Sequence, residues 1–248
     1  MRAPYFQREG VTIYLGDALE LLPELEPGKF AALVTDPPYS SGGAFRGDRT
    51  RPAVEKYVQW GTLAYRPDFA GDSRDQRGFL AWCSLWLAAA RAACRPSAHA
   101  AVFSDWRQLP TMTDALQAGG WTWRGVAVWS KAYGRVNSAG FSAATEFVPW
   151  GTNGPASEER ETYPAGVFEC QSQRGDERAH VAQKPEPVMR WLCSVVEKGG
   201  PILDPFMGSG TTLRAALDMG NPVVGFDSDE RYCEMAARRL GQGVLAFE

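Results

Sequence analysis

The chain has 248 residues, 44% of them hydrophobic and 22% charged, with a formal net charge of -3, values that suit one globular α/β domain over residues 1–248 with a large core. The longest nearly uninterrupted apolar run, Phe79 to Ala90, is too short for a bilayer, and Met1-Arg2-Ala3-Pro4-Tyr5 has no signal-peptide core, so a cytoplasmic protein is expected. Five scattered cysteines, never spaced Cys-x-x-Cys, and two histidines exclude a disulfide framework and a histidine-rich metal site, so no metal is expected; the net charge argues mildly against a nucleic-acid partner, but a total says little about local patches.

Val11 to Leu15 alternates enough for a strand, and Gly16-Asp17-Ala18 is its exit into a short helix, Leu19 to Leu22. Asp17 reads either as that helix's N-cap or as a ligand carboxylate at a strand's carboxyl end, the edge where open α/β sheets bind ligands. The apolar run Phe30 to Val34 reads as a buried strand that delivers Thr35-Asp36-Pro37-Pro38-Tyr39 as a rigid turn. Asp36 and the Pro37 carbonyl can accept protons from an exocyclic amine, and Tyr39 offers a face for stacking. Alternatively, the two prolines simply end the strand and Asp36 makes a turn.

From Ser40 to Gly78 periodicity disappears. Arg46, Arg49, Arg51 and Lys56 alternate with Phe45, Tyr57, Trp60, Tyr65 and Phe69, a mixture suited to holding phosphates and stacking bases, or else a solvated insertion. Phe79 to Cys94 predicts a helix apolar nearly all round, buried in the core or in a subunit interface, with Pro96 ending it. Ala98 to Phe103 predicts a buried strand in which His99 is a core histidine. A helix over Asp105 to Ala118, interrupted by Pro110, and strands over Trp123–Trp129 and within Phe141–Trp150 follow. Residues 151–178 are polar and proline-containing and read as an irregular excursion. Residues 78–150 carry a basic excess: Arg91, Arg95, Arg107, Arg124, Lys131 and Arg135 against Asp105, Asp114 and Glu146.

His180 to Lys184 opens a helix that runs to about Val196. Gly199-Gly200-Pro201 breaks it before the strand Ile202-Leu203 and the turn Asp204-Pro205-Phe206-Met207-Gly208-Ser209-Gly210-Thr211-Thr212. A helix to Met219, the strand Val223 to Phe226, Asp227, and a helix over Asp229 to Leu240 complete the unit. Gly208 and Gly210 let a ligand approach the backbone, and an acid about twenty residues later is where nucleotide-binding units grip a ribose diol. The third glycine of a dinucleotide fingerprint is replaced by Leu213, and no Lys follows Gly210 as in a P-loop. A nucleoside with a carboxylate and no phosphate, such as S-adenosylmethionine, fits this turn better.

Asp36-Pro37-Pro38-Tyr39 together with the 204–212 turn resembles the paired signature of the DNA amino-methyltransferases. The catalytic motif precedes the cofactor motif, as in their circularly permuted β group. The likeness extends over nearly the whole chain. Gly16-Asp17-Ala18 matches the motif along the cofactor adenine, and His180 to Pro185 matches a His-x-x-x-Lys-Pro motif, with Val181-Ala182 in place of the usual Pro-Thr. Ser40 to Gln59 is similar to the insertion of phage-borne members.

The resemblance implies a Rossmann-like, seven-stranded, mostly parallel sheet with helices on both faces, the class I S-adenosylmethionine-dependent methyltransferase fold. It implies that Asp204, Pro205, Phe206, Gly208, Gly210, Thr211 and Thr212 line S-adenosylmethionine, with Asp227 on the ribose, Asp17 and Ala18 at the adenine and Lys184 at the methionine end. Asp36, Pro37, Pro38 and Tyr39 would be catalytic on a base flipped out of double-stranded DNA. An Asp at position 36 is the commoner form among adenine-N6 enzymes; cytosine-N4 methylation and a catalytically silent DNA-binding relative are the alternatives. DNA recognition is expected from the 40–77 loop, with Arg46, Arg49, Arg51 and Lys56, and from about 130–178. Family habit makes a homodimer the expected state.

Overall fold

The structure, a computed structural model, describes residues 2–40, 74–135, 140–157, 162–171 and 184–241. Among them a single mixed sheet of nine strands runs in the order β1-β2-β9-β8-β3-β4-β6-β5-β7. These are β1 (Phe6–Arg8), β2 (Val11–Leu15), β3 (Phe30–Thr35), β4 (Cys94–Val102), β5 (Thr122–Arg135), β6 (Ala143–Thr152), β7 (Val167–Glu169), β8 (Ile202–Asp204) and β9 (Val223–Asp227). Strands β2, β9, β8, β3 and β4 are mutually parallel, and β6 lies antiparallel between β4 and β5.

The expected count of seven strands is therefore too low. The seven central strands are flanked by two short ones: β1 folds back antiparallel on β2, and β7 pairs in parallel with β5. Each is three residues long, too short to leave a period in the sequence. Strand β7 also gives regular structure to part of the stretch 151–178 that was expected to be irregular.

Among the described residues, three helices cover each face. The helices α1 (Ala18–Leu21), α2 (Gln76–Ala93) and α3 (Leu109–Ala118) bury their apolar residues with Phe30, Leu33, Leu203 and Phe226. The helices α4 (Glu186–Cys193), α5 (Thr211–Asp218) and α6 (Glu230–Gly241) pack on the other side against Ile13, Ala32, Val34 and Ile202. A central parallel strand covered on both faces must be apolar throughout, which is why β3 is buried at all its positions. Helix α2 sinks Phe79, Trp86 and Leu87 completely, each contributing about 1.5–3 kcal/mol of transfer energy. It is capped by Asp75, whose carboxylate accepts the Gly78 N–H at 2.7 Å. It is not buried all round, however, since Leu85 is 62% exposed.

Two further boundaries differ from the sequence reading. Strand β4 begins at Cys94, ahead of Pro96, because its register with β3 shifts between Phe30 and Ala32 and Ser97 takes a positive φ of 63°. Pro110 sits in the first turn of α3, where no N–H is missed, so it starts that helix instead of interrupting it. His99 is buried on β4. No helix among the described residues is long and apolar enough to cross a membrane.

The chain leaves β3 through α2 to β4 on one side, and leaves β8 through α5 to β9 on the other. Strands β3 and β8 are therefore the pair at which connections diverge, the place beyond whose carboxyl ends open α/β sheets bind ligands.

Candidate active site

Residues 35–39 and 204–212, far apart in the chain, meet at that divergence. Thr35, buried at the end of β3, donates its hydroxyl to Asp204 Oδ1 at 2.6 Å across to β8. Asp204 Oδ1 also accepts the Phe206 N–H at 3.1 Å. Burial pushes the Asp204 carboxyl up to about 6, against the pull of the Thr212 and Thr35 hydroxyls. The Asp204 side chain thus faces inward and shapes the turn, with buried Pro205 beside it. Phe206 turns its ring toward α2, 5.0 Å from Trp86 and 5.3 Å from Trp82.

The two glycines of this turn differ in what they accommodate. Both have positive φ, 51° at Gly208 and 79° at Gly210. A side-chain carbon at Gly210 would lie 2.9 Å from Ala236 Cβ, whereas one at Gly208 would meet nothing within 4 Å. Gly210 therefore lets α6 approach, and Gly208 faces open space. Helix α5 starts at Thr211 with no side chain capping it, which leaves its first amides without an intrahelical partner. Thr211 accepts from Arg239 at 2.8 Å, and Thr212 is buried.

Two more acids stand at neighbouring strand ends. Asp227 Oδ2 accepts the Gly208 N–H at 3.1 Å and Oδ1 the Asp229 N–H at 2.9 Å. Burial raises its pKa to about 6 in spite of those amides. Its backbone carbonyl accepts from Gly16 at 2.9 Å, which puts Asp17 on the same edge. Asp17 caps α1 through the Leu19 N–H at 2.8 Å, and Ala18 packs its methyl into the core.

Beyond β3 the turn residues form an ionic cluster. The Tyr39 hydroxyl donates to Asp36 Oδ1 at 2.6 Å, and Lys184 Nζ lies 2.6 Å from Asp36 Oδ2 and 3.0 Å from the Tyr39 oxygen. Lys184 reaches Glu146 Oε2 at 3.3 Å, and Lys131 holds Glu146 Oε1 at 2.6 Å. Lys184 also sits 4.8 Å from the centre of the Phe103 ring. Pro37 is buried and Pro38 half-buried; Ser40 follows at a φ of 50°, and its carbonyl accepts from buried Gln108 at 3.2 Å. Burial pushes the Asp36 carboxyl above its usual range, the nearby Glu146 charge adds to this, and Lys184 opposes it. Burial also raises Glu146, but Lys184 and Lys131 outweigh it and hold that carboxyl below the ordinary value. For Lys184, burial pulls downward and its two carboxylates prevail upward.

The sequence pattern of the DNA methylase family, which takes in N6 and N4 methyltransferases, matches residues 30–238. The chain belongs to that family. A Type II methyltransferase of Lactococcus lactis subsp. cremoris, M2.LlaDCHI, is 25% identical over 98% of this chain and 94% of its own. Among solved structures, the M1.HpyAVI–SAM complex superposes with a TM-score of 0.65 at 23% identity, covering 93% of this chain and 98% of that one. The cytosine-N4-specific PvuII DNA methyltransferase superposes with a TM-score of 0.74 at 14% identity, covering 99% and 91%. The methylase therefore has the class I S-adenosylmethionine-dependent methyltransferase fold, widened by its edge strands.

Of the residues singled out from sequence, the methylase brings Asp36, Tyr39 and Lys184 into direct contact, and sets Asp204, Gly208, Asp227 and Asp17 along the same edge. Lys184, expected at the methionine end of the cofactor, has its ammonium on Asp36, Tyr39 and Glu146. Arg46, Arg49, Arg51 and Lys56 lie outside the described residues, as do His180 to Gln183. Sequence reading gave no role to Glu146, Lys131, Gln108 or Phe103. The available signal was a lone acid, Glu146, in an otherwise uncharged strand.

Proposed function

We propose that this protein is a site-specific DNA methyltransferase that moves the methyl group of S-adenosylmethionine to the N6 amine of an adenine flipped out of double-stranded DNA. The reading rests on one observation: the Asp36–Tyr39 turn and the Gly208 turn open side by side from β3 and β8. The order of these motifs in the chain supports a circularly permuted arrangement within the family.

The edge suits the cofactor. Open space at Gly208, the uncapped start of α5 and the Asp227 carboxylate provide room, donors for a carboxylate and an acceptor for a ribose diol. Asp17 would face the adenine. When bound, S-adenosylmethionine supplies an electrophilic sulfonium methyl. Asp36 and the Pro37 carbonyl hold the two protons of the target amine and turn its lone pair outward, while Tyr39 stacks on the base. The proton that the methylated amine sheds then leaves through Asp36 or water. No covalent bond to the protein is needed.

The second reading is cytosine-N4 methylation, which the fold likeness to the PvuII enzyme favours. Asp36 with its two-sided acceptor geometry serves either exocyclic amine. Mass spectrometry of nucleosides from unmethylated DNA incubated with protein and S-adenosylmethionine decides between them. N6-methyladenine supports the first reading and N4-methylcytosine the second; neither product would overturn both.

For DNA contact, the β5–β6 hairpin supports the expected 130–178 surface. Strand β5 runs parallel to β4, so its carboxyl end projects over the same edge as Asp36, and there Tyr133 is 72% and Phe141 98% exposed. The family resemblance is the basis for proposing a homodimer, which sedimentation equilibrium at micromolar protein would register.

A further inference from the structure

The ionic cluster holds a carboxylate that the methyl transfer as described does not use. Glu146 sits on β6 opposite Trp129 of β5, with Oε2 3.3 Å from Lys184 Nζ and 3.4 Å from the Tyr39 hydroxyl, and Oε1 2.6 Å from Lys131 Nζ. The side chains of Lys184, Glu146, Lys131 and Asp36 expose only 9%, 19%, 21% and 21% of their surface. Four charges are thus gathered in a poorly hydrated space, where each carboxylate competes for ammonium protons.

We propose that Glu146 is a positioning residue for methyl transfer: by sharing the Lys184 ammonium it weakens the hold of Lys184 on Asp36, which the target amine must displace, and keeps Tyr39 in line. The inference rests on the reading of Asp36 as the residue that holds that amine.

With Asp36 as its sole carboxylate partner, Lys184 would close a neutral pair with it, and the incoming amine would have to displace an ammonium from a buried ion pair. Glu146 weakens that pair without breaking it: Lys184 Nζ stays 2.6 Å from Asp36 Oδ2 but is also drawn toward Glu146 at 3.3 Å. Lys131 matters in turn, since it neutralises Glu146 from the side nearer solvent and balances the cluster at two acids and two ammonium groups. Among the described residues, the groups facing Asp36 are Tyr39 on its own turn, Lys184 ahead of α4, Glu146 on β6 and Asp204 at the end of β8; Asp105, paired with Arg107 after β4, acts on Tyr39. Among these, Glu146 raises the affinity of Asp36 for a proton and Lys184 lowers it. Removing the Glu146 charge therefore tightens Lys184 on Asp36 and lowers the pH at which Asp36 titrates.

The experiment compares wild type, Glu146→Gln and Lys131→Gln. The Asp36 carboxyl carbon is followed by NMR in the protein alone, using Asp36→Asn to assign the signal, and kcat is measured against pH with DNA and S-adenosylmethionine. In Glu146→Gln the Asp36 titration and the acid limb of kcat move to lower pH, and kcat falls by about tenfold while the KM for S-adenosylmethionine stays unchanged. Glu146→Asp recovers part of the loss. In Lys131→Gln, Glu146 competes harder for Lys184, so the Asp36 titration moves the opposite way, to higher pH; this second variant serves equally if Glu146→Gln does not fold. An Asp36 titration unmoved in the folded variants would overturn the proposal. Failure of the underlying reading is separate: it would appear as Asp36→Asn retaining wild-type turnover.

Discussion

Asp36 carries one oxygen committed to Tyr39 and the other to Lys184, so an incoming amine must take over bonds that already exist. Replacing Asp36 by Ala removes the acceptor and leaves the cofactor edge intact. Turnover is expected to fall at least about a hundredfold, the range for losing a positioned proton acceptor, with S-adenosylmethionine affinity by calorimetry within error of wild type. Asp227 makes a different prediction. Its carboxyl stands near 6 when folded, above the ordinary value of about 4, so the folded protein holds that proton more tightly than the unfolded chain. Its contribution to stability is consequently greatest at low pH and declines as pH rises from about 4 through about 6. A ribose diol donates best to the ionised form. Cofactor affinity should therefore rise as pH climbs through about 6, and calorimetry on either side of that value checks it; a flat profile would remove Asp227 from the ribose.

At the scale of elements, the turn between β8 and α5 has two glycines under separate constraints. Gly210→Ala forces a left-handed backbone on an alanine and drives Cβ into Ala236, so it should cost roughly 1–3 kcal/mol and lower the melting temperature by several degrees. Gly208→Ala carries similar backbone strain without a collision. Its methyl enters the open space beside the turn, so cofactor affinity should fall more than stability does. Calorimetry and thermal unfolding on both variants separate the two effects, and unchanged affinity in Gly208→Ala would place the cofactor off this turn. These turns were legible because strand, glycine and acid follow one another within the chain, and the central strands because burial on both faces makes them uniformly apolar. Strands β1 and β7 were not legible, since three residues paired at a sheet edge show no period. Nor was the link between Glu146 and Asp36, because nothing in spacing reveals that β6 inserts between β4 and β5. Lys184 was found through its motif, but its partner was not, because the contact depends on how the head of α4 crosses the end of β3.

The whole molecule has a net charge of -3, yet its partner is a polyanion, so affinity must come from local placement. Two groups of residues are proposed to meet DNA, and they differ in kind. Arg46 and Arg49 would neutralise phosphates and release counterions; Tyr133 and Phe141, exposed on the hairpin over the edge that carries Asp36, would present flat apolar surface to bases or to the gap a flipped base leaves. Replacing Arg46 and Arg49 by Ala should lower affinity and reduce the magnitude of the slope of log affinity against log salt by about 0.9 for each phosphate no longer neutralised. Replacing Tyr133 and Phe141 by Ala should weaken binding with the slope unchanged, because no counterion is involved. Fluorescence anisotropy with a labelled duplex at several salt concentrations reads both quantities at once. If the arginine variant kept the wild-type slope, the phosphate-binding surface would have to be sought in the basic excess of residues 78–150; if the aromatic variant bound as tightly as wild type, the hairpin would not touch DNA at all.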